Sequence, residues 1–88
     1  MTEQKPLLEF PCRFPIKVMG KQDETFSQTI FDLVHVHAAD IGASDIEMRA
    51  SSGGNYVSLT VTVNAVSQAQ LDDIYRALTS HPMVKYVL

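Results

Sequence analysis

The chain has 88 residues, 45% of them hydrophobic, with seven Lys and Arg against ten Asp and Glu and a formal charge of −3. That length holds one hydrophobic core and not two, and the acidic balance argues against a sequence-independent nucleic-acid binder, which needs a basic stripe to displace counterions, and against attraction to an anionic membrane surface. A lone cysteine, Cys12, excludes an intramolecular disulfide and a cysteine-based metal cluster.

The N-terminal stretch carries Glu3, Lys5 and Glu9 and no long apolar run, so no secretory signal is expected. No window approaches the roughly 18 apolar residues of a membrane span, and the expectation is a soluble, cytoplasmic protein. Residues 1–13 read as an extended arm. Pro6, Pro11 and Pro15 forbid a helix there and bias Phe10 and Phe14 towards extended geometry. Ile16, Lys17, Val18 and Met19 alternate and stop at Gly20, a first strand, with Pro15 confined to its beginning because proline cannot donate to a ladder. After the turn of Gly20, Lys21, Gln22 and Asp23 the period becomes helical. Phe26, Ile30, Leu33, Val34 and His37 share one face, Asp23 or Thr25 is the candidate N-cap, and Thr25 with Gln28 fits a capping box. The helix is expected to end near Ala39.

Ile46, Met48 and Ala50 alternate with Glu47 and Arg49, which predicts a half-buried strand. Ser51, Ser52, Gly53, Gly54 and Asn55 make a turn. The strongest periodicity follows, with Val57, Leu59, Val61 and Val63 alternating with Tyr56, Ser58, Thr60 and Thr62. The two strands read as a hairpin. Ser67 and Gln70 form a second capping-box pattern, Leu71, Ile74, Tyr75 and Leu78 mark a helical face, and His81-Pro82 closes it. Residues 84–88 give a last strand.

The order is strand, helix, strand, strand, helix, strand. This is the α+β, ferredoxin-like βαββαβ sandwich, a four-stranded antiparallel sheet with both helices on one face. Residues 14–88 would form this single domain, with the second and fourth strands at the edges. The helices would cover Ile16, Val18 and the valine–leucine side of the third strand. The open face would carry Lys17, Met19, Glu47, Arg49, Tyr56, Ser58, Thr60 and Thr62.

Chemistry-bearing residues are sparse. His35 and His37 lie two apart on a helix and point to different faces, so they cannot share a metal, and His81 sits at a helix end. No metal and no cofactor is expected. Cys12 lies in the arm without a neighbouring base and reads as a structural thiol. The glycine-rich turn at 51–55 matches neither the Walker nor the dinucleotide pattern, and its glycines and asparagine suit positive φ. Gly20, Lys21, Gln22 and Asp23, just before a helix start, are the candidate ligand-binding residues, because helix-start amides favour an anion; Asp23 and Glu24 oppose one there. Lys17, Glu47, Arg49, Tyr56 and Thr60 are the candidate interaction surface. Tyr56 alone does not make an RNA-stacking face.

Taken together, Leu7 to Pro11, Phe14, Lys17 to Gly20, His37-Ala38, Ser51-Ser52, Gly54 to Tyr56, Asn64-Ala65 and Val87-Leu88 resemble the YbeD-like family of small bacterial proteins. Gly53 and Ser27 depart from it in minor ways. The resemblance implies a ferredoxin-like fold close to the ACT regulatory domain, a bacterial source and an associational link to lipoate metabolism. It supplies no catalytic residues.

The expectation is therefore a non-catalytic regulatory or adaptor domain that binds a small metabolite or a protein partner, with no nucleic acid and no membrane. A homodimer is left open. The alternatives are interaction through a sheet edge or the open face, and a small acyl or phosphate hydrolase, which would need an arginine in an anion-binding loop. If Gly20 to Asp23 hold a ligand, Gly20→Val is expected to abolish binding in a folded protein.

Overall fold

The computed structural model describes residues 9–50 and 53–88. The elements are β1 (Cys12–Lys21), α1 (Phe26–His37), a 3-10 turn (Ala43–Asp45), β2 (Ile46–Ala50), β3 (Tyr56–Ala65), α2 (Gln68–Thr79) and β4 (Val84–Val87). All strand pairs are antiparallel and the sheet order is β2-β3-β1-β4, so β2 and β4 are the edges. This is the ferredoxin-like arrangement. No described helix is long and apolar enough to cross a membrane.

The core lies between the sheet and the helices. Ile16 and Val18 of β1 join Val57, Leu59, Val61 and Val63 of β3 against Phe26, Ile30 and Val34 of α1 and Leu71, Ile74 and Leu78 of α2, each at most 2% exposed. Period-two and period-3.6 apolar patterns meet across one layer. Leu33 and His37 stay at the margin of the α1 stripe, half-buried.

Four features depart from the sequence reading. β1 is ten residues long, and Pro15 is its fourth, paired opposite Thr62. The Lys17 N–H and C=O both bond Leu88, on the β4 side. Backbone direction alternates along a strand, so Pro15 faces that same side, below the point where pairing with β4 stops. Its missing donor is not needed there. Second, β2 is not half-buried along its length: Ile46 is, but Met48 is 57% exposed and Ala50 is exposed. Met48 pairs with fully buried Leu59 on the same face; the helix layer covers the centre of the sheet and not this edge.

Third, the Thr25–Gln28 capping box does not form. Thr25 has helical backbone angles, φ −95° and ψ −1°, and makes no side-chain cap bond. Instead Asp23 Oδ1 accepts from the Thr25 N–H (2.8 Å) and hydroxyl (2.7 Å), while Gln28 donates to Asp32. Fourth, α1 stops at His37 rather than near Ala39, with Ala38 N–H donating to Val34. The start of α2 follows expectation more closely. Ser67 Oγ accepts from Gln70 N–H at 3.1 Å, and Gln70 Oε1 accepts from Val66 N–H at 2.7 Å, one residue upstream of a standard box. Gln70 Nε2 also donates to the His37 carbonyl at 2.8 Å, tying the start of α2 to the end of α1. In the β2–β3 hairpin Gly54 holds φ +73°, which accounts for a glycine there; Ser51 and Ser52 lie outside the described residues, as does the arm before Glu9.

Candidate functional site

The sheet face turned away from the helices is assembled from four strands by their register. One row runs Glu47, Thr60, Lys17; the next runs Arg49, Ser58, Met19, Tyr86; Tyr56 pairs with Lys21. Two adjoining hollows result. Lys17, Glu47, Arg49, Ser58 and Thr60 line a polar one of about 270 Å³. Met19, Tyr56, Lys85 and Tyr86 line an apolar one of about 460 Å³. Four of the five candidate surface residues therefore share the polar hollow, and Tyr56 stands in the apolar one. Arg49 and Glu47 are 3.7 Å apart with both side chains mostly in water, an ion pair of small worth.

Sequence reasoning missed Tyr86 and Lys85 as part of this face. A register shift between Met19 and Gly20 explains Tyr86. Val84 and Val87, three apart, both pack on the core side, so Tyr86 is 52% exposed and stands beside Met19. Strict alternation would have put Tyr86 on the same side as Val84. The only available signal was the Val84, Val87 spacing itself, which is wrong for an unbroken strand.

The turn after β1 is packed differently. Gly20 is buried, and a Cβ there would lie 2.5 Å from the Met83 carbonyl oxygen and collide with the Phe26 ring. Gly20→Val therefore disturbs the core as well as any ligand, which corrects the expectation of a simply folded variant. Gln22 N–H donates to the Asn55 carbonyl (2.9 Å), Thr25 N–H to Asp23 Oδ1 and Phe26 N–H to the Asp23 carbonyl (3.0 Å). These amides serve the turn and not an incoming anion. The Thr25 hydroxyl, then the Thr25 amide, hold the Asp23 carboxyl below its ordinary range, so it stays charged and repels anions. Lys21, Gln22 and Asp23 do border a groove with Pro82, Met83 and Lys85, about 430 Å³ in volume.

The remaining candidates have structural partners. His35 stacks on Phe31 with ring centroids 5.4 Å apart, and His81 Nδ1 accepts from Met83 N–H at 3.1 Å. Cys12 is half-buried at the start of β1 and packs against the core. Among the described residues no three of His, Cys, Asp and Glu converge as metal ligands. Arg13 donates to Asp45 Oδ1 at 2.8 Å while Gly42 N–H donates to Oδ2 at 2.9 Å. Arg13 and then the Gly42 amide hold the Asp45 carboxyl below its usual range.

Known proteins place the chain. A UPF0250 protein of Paraburkholderia phytofirmans is 61% identical over 82 residues, 93% of this chain and 92% of the relative. One from Chromobacterium violaceum is 55% identical over 86 residues, covering 98% and 97%. The solution structure of protein HP0495 from H. pylori superposes with a TM-score of 0.74 at 16% identity, covering 97% of this chain and 89% of that one, which supports the fold alone. Residues 5–88 match the family described as protein of unknown function, DUF493, and with full-length relatives at this identity the chain belongs to that family.

Proposed function

We propose that this chain is a non-catalytic regulatory or adaptor module of the cytoplasm that acts by binding a protein partner through its open sheet face. One observation carries the reading: Met19, Tyr56 and Tyr86 gather in an apolar hollow beside the charged row of Lys17, Glu47 and Arg49. Tyrosine, methionine and arginine are the residue types enriched where proteins meet, and a hollow that seats an anchor side chain is where binding energy concentrates. A small metabolite at Gly20 to Asp23 is the weaker reading, because the Gln22, Thr25 and Phe26 amides are already engaged and Asp23 is ionised.

A photoreactive phenylalanine analogue at Tyr86 and, separately, at Val36 on α1 tests the proposal in living cells. Both positions are exposed, at 52% and 75%. A discrete cross-linked species from position 86 and none from 36 is the expected result. Capture from 36 alone, or from neither, would sink it. The metabolite reading has its own measurement: thermal unfolding against amino acids, lipoate, octanoate and nucleotides. Lipoate and octanoate belong in the panel because the resemblance to the YbeD-like family implies an associational link to lipoate metabolism. A ligand at a hundred times its dissociation constant adds about 2.7 kcal/mol, which should raise the midpoint of so small a domain by roughly ten degrees or more.

A second reading is pairing of two copies along the β2 edge, favoured by Met48, exposed there on the helix side. Sedimentation of a strictly monomeric species at high concentration removes it.

A further inference from the structure

The net charge of −3 hides a segregation of sign. Of the seven Lys and Arg in the chain, four belong to the open sheet face: Lys17, Lys21 and Arg49 by strand register, and Lys85 by its place in the apolar hollow. Arg13 shares the parity of Lys17 but is neutralised by Asp45 at 2.8 Å. Glu47 is the one carboxylate of the rows, and Asp23 stands at their end beside Lys21 and Lys85. The helix layer is the reverse. α1 carries Asp32 and no Lys or Arg; α2 carries Asp72 and Asp73, with Arg76 bonded to Asp73 at 3.0 Å.

The Debye length at physiological salt is about 8 Å and a helix is about 10 Å thick. A partner meeting the sheet therefore responds to the local cations and is screened from the acidic helices behind them. Charge complementarity then selects the partner's sign, since like charges across an interface cost several kcal/mol.

We propose that the occupant of the open face is an acidic segment of a partner protein, with one apolar side chain seated in the Met19, Tyr56 and Tyr86 hollow and flanking carboxylates directed to Lys17, Arg49 and Lys85. The inference rests on the open-face reading above and names the chemistry of its partner. A single-stranded nucleic acid fits less well. Base stacking in this architecture uses aromatics on the two central strands, yet the open-face residues there between Tyr56 and Thr62 are Ser58 and Thr60, opposite Met19 and Lys17.

The test titrates the full chain, isotopically labelled, with three probes: a synthetic peptide of Glu, Asp and Leu, its twin with every acid replaced by Lys, and an oligouridylate. Backbone amide shifts report the site. The acidic peptide is expected to move the amides of Lys17 to Lys21, Ser58, Thr60 and Tyr86, less so as salt rises, and the exposed double variant K17E/R49E should weaken it by about tenfold or more. Equal or tighter binding of the basic twin, or binding of the oligouridylate alone, overturns the acidic partner and leaves the open face as the site. So do concentration-dependent shifts of these amides in the free protein, which name a second copy. If no probe touches the face, the acidic partner falls; capture from position 86 in cells then keeps the open-face reading, and its failure removes both.

Discussion

β3 carries both faces of this protein on one strand. Val57, Leu59, Val61 and Val63 are at most 2% exposed, whereas the residues between them, Ser58, Thr60 and Thr62, keep partial contact with water. Backbone, ladder and neighbouring strands are shared, so the difference comes wholly from what lies above each face. Two helices fill one side with apolar side chains; the other is left to small hydroxyls, tyrosines and cations contributed by three further strands. The same contrast appears within one row of the covered side, where Leu59 is fully buried and its partner Met48 on β2 is 57% exposed. Burial follows the layer and not the residue type.

The contrast breaks hardest at Leu59. Leu59→Ala should cost about 2–5 kcal/mol, a cavity at the centre of the core, while Thr60→Ala, one residue on, should stay within about 0.5 kcal/mol. Denaturant unfolding measures both. Against a total stability of roughly 5–15 kcal/mol, comparable losses at the two positions would mean that the open face is not open. Gly20→Ala comes next, at about 1–3 kcal/mol by overpacking, because the added Cβ meets the Phe26 ring and the Met83 carbonyl. A thermal midpoint equal to the parent's would show that β4 and Phe26 yield without cost.

Much of this was legible in the sequence, and the parts that were not share a cause. The eight-residue alternation from Tyr56 to Val63 predicted β3 and its two faces, and Ser67 with Gln70 predicted the start of α2, because such patterns are local. Exposure of Met48 depends on how far the helix layer reaches, which no window of sequence reports. Tyr86 depends on a register shift opposite Gly20. The cationic face depends on Lys17, Lys21, Arg49 and Lys85 being brought side by side by strand register, while summed composition reports only an acidic chain. Pro15 was misplaced for a related reason: where a missing donor is tolerated depends on how far the next strand extends.

The two helix starts give a smaller, sharper contrast. Ser67 is extended, with φ −163° and ψ 160°, and caps Gln70 N–H; Thr25 is helical and caps nothing. Ser67→Ala should therefore cost about 1 kcal/mol, and Thr25→Ala under about 0.5 kcal/mol. Equal costs in chemical denaturation would mean that the bond from the Thr25 hydroxyl to Asp23 holds the start of α1 as firmly as the Ser67 cap holds α2.

The smallest effect separates two arginines of the same sheet face. Arg49 is only loosely paired at 3.7 Å, whereas Arg13 is bound to Asp45 at 2.8 Å. Arg13, with the Gly42 amide, lowers the folded pKa of Asp45 below the unfolded value of 3.8. A carboxyl shifted in that direction contributes stability that is fully present above 3.8 and is lost as pH falls through the folded value. Arg13→Gln should remove the first cause of the shift, and Asp45→Asn all of it, so each should flatten the acid limb of the thermal midpoint against pH, the second variant more. Arg49→Gln should leave that limb unchanged and instead weaken the acidic peptide, to which Arg13→Gln should be indifferent. An acid limb moved by Arg49, or peptide binding moved by Arg13, would erase the distinction between a cation that holds the fold together and one left for a partner.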